Sequence, residues 1–446
     1  MMCLEVTNEI RLSGYPPALY TKLTRLFTME NPKALEAERL GRRFDLADRF
    51  LYFWRLEGGA LVLPRGAART IMHIAEQYGR VEIDDQRLML PPCGYEFNGQ
   101  LRPYQVQAVD GILGREFGVL EAGTGSGKTV MALAIIASRQ QPTLVLVHTK
   151  ELLYQWRDRI KTFLGIEAGL IGDGHLNIRP VSVGIVNTVR KQLDSLVERF
   201  GQVVVDECHR VPSTLFSEAL RAFPAHYMLG LSATPYRRDG LDRLIAWYCG
   251  EHRAKVERTV LHEVGAVLRP KVHTVETGFD YWYADNYQDM VSALVKDKGR
   301  NELIAGCIDR VAKHGQVLVT SDRVEHLKAL AELSGHSEDV ILTGKTPKKK
   351  RQDMVELIRT GELPVVFSTL SLIGEGFDAA GLSALVLASP VKYKGRLLQA
   401  VGRILRPQGG KQPLVIDFRD SKVGVLDYQW QARQREFSNM GAVFDT

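Results

Sequence analysis

The sequence predicts an α/β protein in which two tandem, doubly wound parallel-sheet domains follow a small α+β N-terminal domain. From about residue 99, short apolar runs rich in valine, leucine and isoleucine alternate with helical patterns. Such runs are typical of parallel strands buried on both faces. The alternation lapses around residues 250–300 and then returns, which indicates two halves joined by a linker. A glycine-dense turn follows a strand in the first half only, so one phosphate-binding loop serves both halves.

Length and composition set the class of protein. A chain of 446 residues accommodates two or three domains, and 45% hydrophobic with 25% charged residues is ordinary for a globular protein. The net charge of +6 permits a nucleic-acid partner without demanding one. No apolar run approaches the length of a membrane span, and the first ten residues lack a signal-peptide pattern. We expect a cytoplasmic, nucleoid-associated protein that is not secreted and has no membrane partner.

Residues 1–98 are predicted to form an accessory α+β domain that binds DNA or a protein partner. The expected elements are a strand over Leu4–Leu12, a helix from Pro16 to about Met29, a hairpin of Phe50–Leu56 with Ala60–Leu63, a helix over Ala67–Tyr78, and a second hairpin of Val81–Ile83 with Leu88–Leu90. Pro91-Pro92 marks the boundary. The aromatic cluster Phe50, Tyr52, Phe53 and Trp54 is expected in the core, with base stacking as the alternative.

The two following domains are predicted over residues 99–262 and, together with the linker that precedes the second one, 263–446. Their expected strands are Gly118–Glu121, Thr143–Val147, Val181–Val186, Val203–Val205, Met228–Leu231, Val317–Thr320, Val365–Ser368, Ala384–Ala388 and Leu414–Asp417. The five cysteines are scattered along the chain, and no two of them form a CxxC pair. Neither a zinc site nor a disulfide framework is therefore expected.

The glycine-rich turn carries the strongest chemical signal. Residues 117–129 read FGVLEAGTGSGKT and lead into strong helix formers. Glycines let backbone N–H groups approach a triphosphate, and the following helix directs its positive dipole at the phosphates. Lys128 is placed to reach the β- and γ-phosphates, and Thr129 to bind Mg²⁺. The predicted ATP contacts here are Gly123, Thr124, Gly125, Ser126, Gly127, Lys128 and Thr129.

Two carboxylates end a second apolar strand, which reads VVVDECH at 203–209. In a doubly wound sheet the ligand crevice lies at the carboxyl ends of the strands. Asp206 is therefore expected to hold Mg²⁺, and Glu207 to orient and deprotonate the attacking water. A pair of residues that caps a helix after a strand is the alternative interpretation.

At this point the chain resembles superfamily 2 helicases, because DECH at 206–209 is similar to their DExH box. LRPYQ at 101–105 resembles the Q motif, which implies that Gln105 contacts adenine and that Arg102 packs nearby. The resemblance covers roughly residues 99–420, with the motifs in the order of that family. It implies that both sheet domains are RecA-like.

Further motifs of that family follow in the first half. HTKEL at 148–152, with the QW pair that follows, resembles the first strand-contacting motif. It implies nucleic-acid contacts by Thr149, Lys150 and Gln155. SAT at 232–234 resembles the motif that couples hydrolysis to domain movement, and it implies this role for Ser232 and Thr234.

The second half completes the resemblance. QAVGRILR at 399–406 matches the pattern QxxGRxxR, and GEGFD at 374–378 resembles motif V. The nucleic-acid contacts that the family implies here are Ser321, Thr343, Gly344, Ser368 and Thr369, and the nucleotide contacts are Gly376 and Asp378. Hydroxyl and backbone groups suit phosphates and read no bases, so little sequence preference is expected.

The QAVGRILR stretch, which corresponds to motif VI of the family, predicts a pair of arginine fingers. Arg403 and Arg406 are three residues apart and lie on one helical face, and Gln399 is assigned to coupling. If the second domain closes on the first, both arginines meet the γ-phosphate, a contribution of about 10³–10⁵ in rate. Two solvated arginines are the alternative. ATP is thus expected between the two halves.

Two other stretches have open interpretations. PKKKR at 347–351 is expected to open a helix that runs to Arg359 as a solvated or backbone-contacting face, rather than to serve as a nuclear-import signal. YWYADNY at 281–287 is expected either to grip or separate strands, or to pack between domains.

Within superfamily 2 the layout is similar to the XPB-like branch of DNA-repair helicases and translocases, which includes phage and restriction-associated motors. The segment LSATPYRRDG at 231–240 and the N-terminal unit support this resemblance. An ATP-dependent DNA helicase or translocase that uses Mg²⁺ is therefore the predicted function. The alternatives are an RNA helicase, a motor subunit of a restriction or defence complex, and a nucleotide-binding switch.

Overall fold

The computed structural model describes residues 1–39, 41, 43–211, 214–233, 241–284, 286–370, 372, 381–391, 394–405 and 410–445. The chain divides into two compact units. The first consists of Met1–Gly123 with Gly127–Val256, and the second is built on Glu257–Thr446.

The N-terminal part of the first unit is a mixed sheet with helices on it. The strand order is β5-β6-β2-β1-β7, and β3 pairs separately with β4. The elements are β1 (Met2–Val6), β2 (Ile10–Ser13), α1 (Pro17–Leu26), β3 (Thr28–Glu30), α2 (Pro32–Arg39), β4 (Phe50–Tyr52), β5 (Arg55–Glu57), β6 (Ala60–Leu63), α3 (Ala68–Glu76) and β7 (Val81–Asp85).

In this region the turn residues predicted local structure correctly, but the pairing of strands distant in sequence was not predicted. The hairpin around Gly58-Gly59 is confirmed next to its turn, where β5 and β6 are antiparallel, but its predicted first arm was too long, because Phe50–Tyr52 pairs with β3 instead. The single strand over Leu4–Leu12 was wrong, because a turn at Thr7 folds β2 back onto β1. The second hairpin was also wrong, because β7 pairs in parallel with β1 and Leu88 bridges to Ala225.

The aromatic cluster divides between core and surface. Phe53 and Trp54 are partly buried against the core, as expected. Phe50 and Tyr52 are 40% and 58% exposed, so the core expectation was wrong for them.

The rest of the first unit is a doubly wound sheet with the order β11-β10-β12-β9-β13-β14-β8-β15. Its pairs are parallel except for β10 with β11. The elements are α4 (Pro103–Leu113), β8 (Phe117–Glu121), α5 (Lys128–Arg139), β9 (Thr143–Val147), α6 (Lys150–Leu164), β10 (Gly169–Gly172), β11 (His175–Asn177), β12 (Val181–Ile185), α7 (Val186–Val189), α8 (Leu193–Leu196), β13 (Gln202–Asp206), α9 (Thr214–Ala222), β14 (Tyr227–Ser232), α10 (Arg243–Cys249) and β15 (Arg253–Lys255).

The N-terminal sheet and this sheet share one continuous hydrophobic core. The Trp247 ring lies 5.0 Å from Phe27 and 5.2 Å from Phe53, between ring centroids. Arg65 is buried and its Nη1 donates to the carbonyls of Thr7 (3.2 Å) and Ala225 (2.9 Å). These contacts explain why the N-terminal residues belong to the first unit.

The second unit is a parallel sheet with the order β18-β19-β17-β20-β21-β16-β22. The elements are α11 (Arg258–Glu263), β16 (Lys271–Glu276), α12 (Tyr287–Leu294), α13 (Lys298–Ala312), β17 (Gln316–Thr320), α14 (Val324–Leu333), β18 (Ile341–Leu342), α15 (Lys348–Thr360), β19 (Val365–Ser368), β20 (Leu382–Leu387), α16 (Lys394–Ile404), β21 (Leu414–Arg419), α17 (Gly424–Asn439) and β22 (Val443–Phe444). Short 3₁₀ turns occur in both units at Leu46–Arg49, Arg65–Ala67, Arg190–Gln192, Cys208–Arg210 and Glu338–Val340.

The two predicted RecA-like sheets are confirmed, and β16 is a strand that the apolar pattern did not reveal. It pairs in parallel with β21 near the sheet edge, and of its six residues one is buried, three are partly buried and two are exposed. A half-exposed strand carries polar residues and lacks a continuous apolar run.

The stretches with open interpretations are resolved in part. The predicted helix after Pro347 is present as α15. Tyr281, Tyr283 and Tyr287 pack against a small core that contains Phe279, whereas Trp282 is 89% exposed. Among the described helices, none combines the length and apolarity needed to cross a bilayer.

Candidate active site

The glycine-rich turn lies at the carboxyl end of β8, and α5 begins at Lys128 directly after it. Gly125 and Gly127 have φ of +87° and +84°, which glycine adopts without strain. A Cβ on Gly127 would lie 2.4 Å from Nε2 of Gln105, so any side chain there would collide. Lys128 Nζ donates to the carbonyl of Ala122 at 2.8 Å, which holds the amine at the turn.

The two Q-motif residues lie beside this turn. Arg102 precedes α4, and its backbone N–H donates to Oε1 of Gln105 at 2.9 Å. Gln105 is only 6% exposed. Its amide is therefore fixed by the start of its own helix, with Nε2 directed at Gly127.

The predicted metal ligand Asp206 ends β13 in a buried position, and two donors fix its carboxylate. Trp156 Nε1 donates to Oδ2 at 2.9 Å, and the Glu207 backbone N–H donates to Oδ1 at 3.0 Å. Carboxylate and hydroxyl oxygens are the ligands that Mg²⁺ prefers, so Asp206 and Thr129 have suitable donor chemistry.

Glu207 has a left-handed backbone conformation that is unusual for a non-glycine residue, with φ +53° and ψ +53°. Such conformations cost of order 1–3 kcal/mol and cluster at functional sites. His209 Nδ1 lies 3.2 Å from Oε2 of Glu207 and 3.4 Å from Oγ of Ser232, at the end of β14. The predicted base is thus connected through His209 to the predicted coupling residue Ser232.

The pKa values of the two carboxylates, Asp206 and Glu207, shift in opposite directions. Burial raises the pKa of Asp206, and the negative charge of Glu207 raises it further. Burial also acts to raise the pKa of Glu207, but the hydrogen bond from His209 and the charge of Lys128 lower it below its usual range. Glu207 is therefore the member of the pair that holds its negative charge more firmly.

The predicted strand-contacting residues of the first unit surround the start of α6. Thr149 caps this helix, its Oγ1 accepting from the Leu152 N–H at 3.3 Å. The Lys150 side chain is 60% exposed and its amine contacts Asp173. Gln155 is partly exposed one turn further along.

In the second unit the hydroxyl of Ser321 is not available for the nucleic-acid contact that the motif implied. Ser321 is fully buried, and its Oγ bonds to Nδ1 of His326 at 3.0 Å and accepts from the Arg323 N–H at 3.2 Å. Ser368 and Thr369 are also largely buried, at 1% and 9% exposure. The Ser368 hydroxyl donates to the carbonyl of Thr369.

The remaining predicted residues have mixed outcomes. Thr343 Oγ1 accepts from the Lys345 N–H at 3.2 Å, and Gly344 is exposed. Arg403 is partly buried in α16, and Gln399 belongs to the same helix. Four predicted residues lie outside the described part of the chain: Thr234, Gly376, Asp378 and Arg406.

The sequence analysis assigned no role to His148 or His209. It also assigned Trp156 no role at the metal site predicted at Asp206. Burial and the neighbouring Arg210 lower the pKa of His148 to about 4. Both of its ring nitrogens lack hydrogen-bond partners among the described residues. The signal for Trp156 was the QW pair, a buried aromatic on the helix that follows β9, but its acceptor lies 50 residues away.

Comparison with known proteins identifies the family. Residues 98–237 match the family described as "Type III restriction enzyme, res subunit", and residues 299–408 match "Helicase conserved C-terminal domain". A protein of Acanthamoeba polyphaga mimivirus, provisionally named ATP-dependent RNA helicase L396, is 30% identical over 81% of this chain and 72% of its own length. The chain belongs to superfamily 2 of the ATP-dependent helicases and translocases.

Within superfamily 2 the chain is similar to XPB relatives. The DNA 3'-5' translocase XPB2 of Sulfurisphaera tokodaii is 26% identical over 76% of this chain and 85% of that protein. The solved structure of S. cerevisiae Dbp5 bound to RNA and ADP BeF3 has a TM-score of 0.54 at 15% identity, over 77% of this chain and 94% of that one. The latter likeness supports the tandem RecA-like fold alone.

Proposed function

We propose that this superfamily 2 protein is an ATP-dependent DNA helicase or translocase that hydrolyses ATP with Mg²⁺. The observation that carries the proposal is the arrangement at the carboxyl edge of the first RecA-like sheet. There Lys128 follows a glycine turn, and Glu207 is held in a strained conformation beside Asp206. A charged carboxylate next to a metal ligand is suited to orient a water molecule for attack on a phosphate.

Each residue has a distinct task in this proposal. Mg²⁺ bound by Asp206 and Thr129 would neutralise charge on the phosphates. Lys128 binds the β- and γ-phosphates, and Gln105 contacts adenine. Glu207 takes the proton of the attacking water, and His209 relays the state of Glu207 to Ser232.

The nucleic-acid contacts remain predictions of the motifs. Thr149, Lys150 and Gln155 are proposed for the first unit, and Thr343 and Gly344 for the second. Arg403 and Arg406 are proposed as arginine fingers, with Gln399 and Thr234 in coupling and Gly376 and Asp378 at the nucleotide. Residues 1–98 are proposed as an accessory surface for DNA or a protein.

DNA is preferred as the substrate because the similar protein of Sulfurisphaera tokodaii is named as a DNA translocase. An RNA helicase is the second candidate, because the mimivirus relative is named for RNA. ATP hydrolysis measured with duplex DNA, single-stranded DNA and RNA distinguishes the two. We expect the largest stimulation with DNA, and stimulation by RNA alone would contradict the proposal.

A matched variant makes this experiment decisive. Lys128→Ala removes the amine at the phosphates and should abolish hydrolysis with every nucleic acid. Hydrolysis that persists in Lys128→Ala would show that the measured ATPase comes from another protein or another site. A constant association with a nuclease or methyltransferase would favour a subunit of a restriction or defence complex.

A further inference from the structure

Trp156 makes a contact that its motif does not explain. It lies in α6, it is 1% exposed, and its indole Nε1 donates to Oδ2 of Asp206 at 2.9 Å. Asp206 is the residue to which we assign Mg²⁺. The helix that carries Trp156 begins at Lys150, where we expect nucleic acid to bind.

The bond fixes the carboxylate in a defined orientation. Oδ1 of Asp206 accepts from the Glu207 N–H, and Oδ2 accepts from Trp156, so donors on two different segments hold the two oxygens. An ionised carboxylate has about four lone-pair sites, so about two remain for a cation and its water. Groups that orient a metal ligand in this way typically change metal affinity 10- to 100-fold when they are removed.

The start of the same helix is held by separate contacts. The Lys150 amine contacts Asp173, and the Tyr154 hydroxyl donates to Oδ2 of Asp173 at 2.7 Å. Lys150 and Trp156 are six residues apart, or about 9 Å along a rigid helix. A phosphate that binds Lys150 and draws it away from Asp173 would therefore exert a force on α6. The bond between Trp156 and Asp206 depends on the position of this helix.

We infer that Trp156 is a positioning residue that couples nucleic-acid contact at the start of α6 to the metal-binding carboxylate of Asp206. The coupling part rests on the proposed function, since it requires a nucleic-acid partner. The positioning part rests on the proposed Mg²⁺ site at Asp206 but requires no nucleic acid, because it concerns only Asp206, the cation and the nucleotide.

Trp156→Phe tests the inference, because it removes the N–H donor and keeps most of the buried ring. Trp247→Phe is the matched control, since Trp247 is a buried tryptophan that packs on Phe27 and Phe53 in the same unit. Mg²⁺ is titrated into each protein with a fluorescent ADP analogue, and nucleotide binding is measured without turnover. We expect the half-saturating Mg²⁺ concentration to rise 10- to 100-fold in Trp156→Phe and to stay within about twofold of wild type in Trp247→Phe.

A second readout addresses the coupling. In Trp156→Phe we expect the stimulation of ATPase by nucleic acid to fall while KM for ATP at saturating Mg²⁺ stays near its wild-type value. An unchanged Mg²⁺ titration would overturn the positioning role whether or not nucleic acid stimulates the wild type. A shifted titration with intact stimulation would overturn the coupling alone.

A spectroscopic measurement on the unaltered protein keeps the inference testable if Trp156→Phe does not fold. The indole N–H signals of ¹⁵N-tryptophan-labelled protein are followed as Mg²⁺ is added with ADP. The Trp156 signal should shift more than the Trp247 signal, since only Trp156 donates to Asp206. Equal or absent shifts for the two signals would contradict the inference.

Discussion

Protonation of His326 should destabilise the second unit, and the structure gives the size of the effect. His326 is 1% exposed, its Nδ1 bonds to the Ser321 hydroxyl at 3.0 Å, and its Nε2 lies 3.0 Å from Oδ1 of Asn301. The neutral ring with a proton on Nε2 satisfies both neighbours. Burial and the nearby charge of Arg300 together lower the pKa of His326 to about 3.

The direction of this pKa shift determines whether the protein gains or loses stability as the pH falls. The folded-state pKa lies below the value of about 6.5 expected in the unfolded chain, so the neutral form is favoured by folding. Stability is therefore complete above about pH 6.5 and is lost as the pH falls from there toward 3. At pH 5 the loss is about 1.5 pH units at 1.36 kcal/mol each, or about 2 kcal/mol.

Hydrogen exchange measured at pH 7 and pH 5 reports the opening free energy of α13 and α14, after correction for the intrinsic exchange rate. The wild type should lose about 2 kcal/mol of protection between the two pH values. His326→Gln keeps a donor and an acceptor but does not titrate, so that loss should disappear. His314→Gln, on an exposed residue of the same unit, is the control. The same pH dependence in His326→Gln and wild type would refute the reasoning.

Three further predictions concern the base, the shared core and a buried ion pair. Glu207→Gln should bind ATP with a similar KM but turn over about 10²–10⁴-fold more slowly, since the proposed base is lost; steady-state kinetics with near-normal kcat would remove Glu207 from this role. Trp247→Ala should cost about 3–5 kcal/mol in urea unfolding. Trp282→Ala, at an 89% exposed position, should cost less than about 0.5 kcal/mol, and equal costs would contradict the packing argument. Arg300→Met leaves the buried Asp420 carboxylate without its charged partner, with only the Thr277 hydroxyl among the described residues still donating to it, and should cost about 3–5 kcal/mol in urea unfolding, whereas a loss below about 1 kcal/mol would contradict the role of the pair.

The parts of the fold that depend on local pattern were predictable. Strand β13 is buried along its whole length, so its apolar run was visible, and the glycine turn before α5 has a sequence signature of its own. Strand β16 is half-exposed near a sheet edge and gave no such run. The parallel pairing of β7 with β1 joins segments almost 80 residues apart, so no local turn sequence predicts it.

The same distinction between local pattern and long-range contact applies to the candidate active site. Residues for which a motif predicts a role, such as Lys128 and Asp206, were picked out from the sequence, and the structure places Lys128 at the start of α5 and Asp206 at the end of β13. The donor Trp156 lies in α6 and its acceptor Asp206 ends β13, 50 residues further along the chain, so the contact exists only after folding. The burial of Ser321 depends on His326 and Asn301 in the same way.

The central claim is that this protein moves along DNA at the expense of ATP. Displacement of a third strand from a triple helix placed on duplex DNA measures such movement without requiring strand separation. We predict displacement by the wild type that depends on ATP and Mg²⁺, and none by Lys128→Ala. Displacement that proceeds without ATP, or a wild type that hydrolyses ATP and leaves the third strand in place, would contradict the claim.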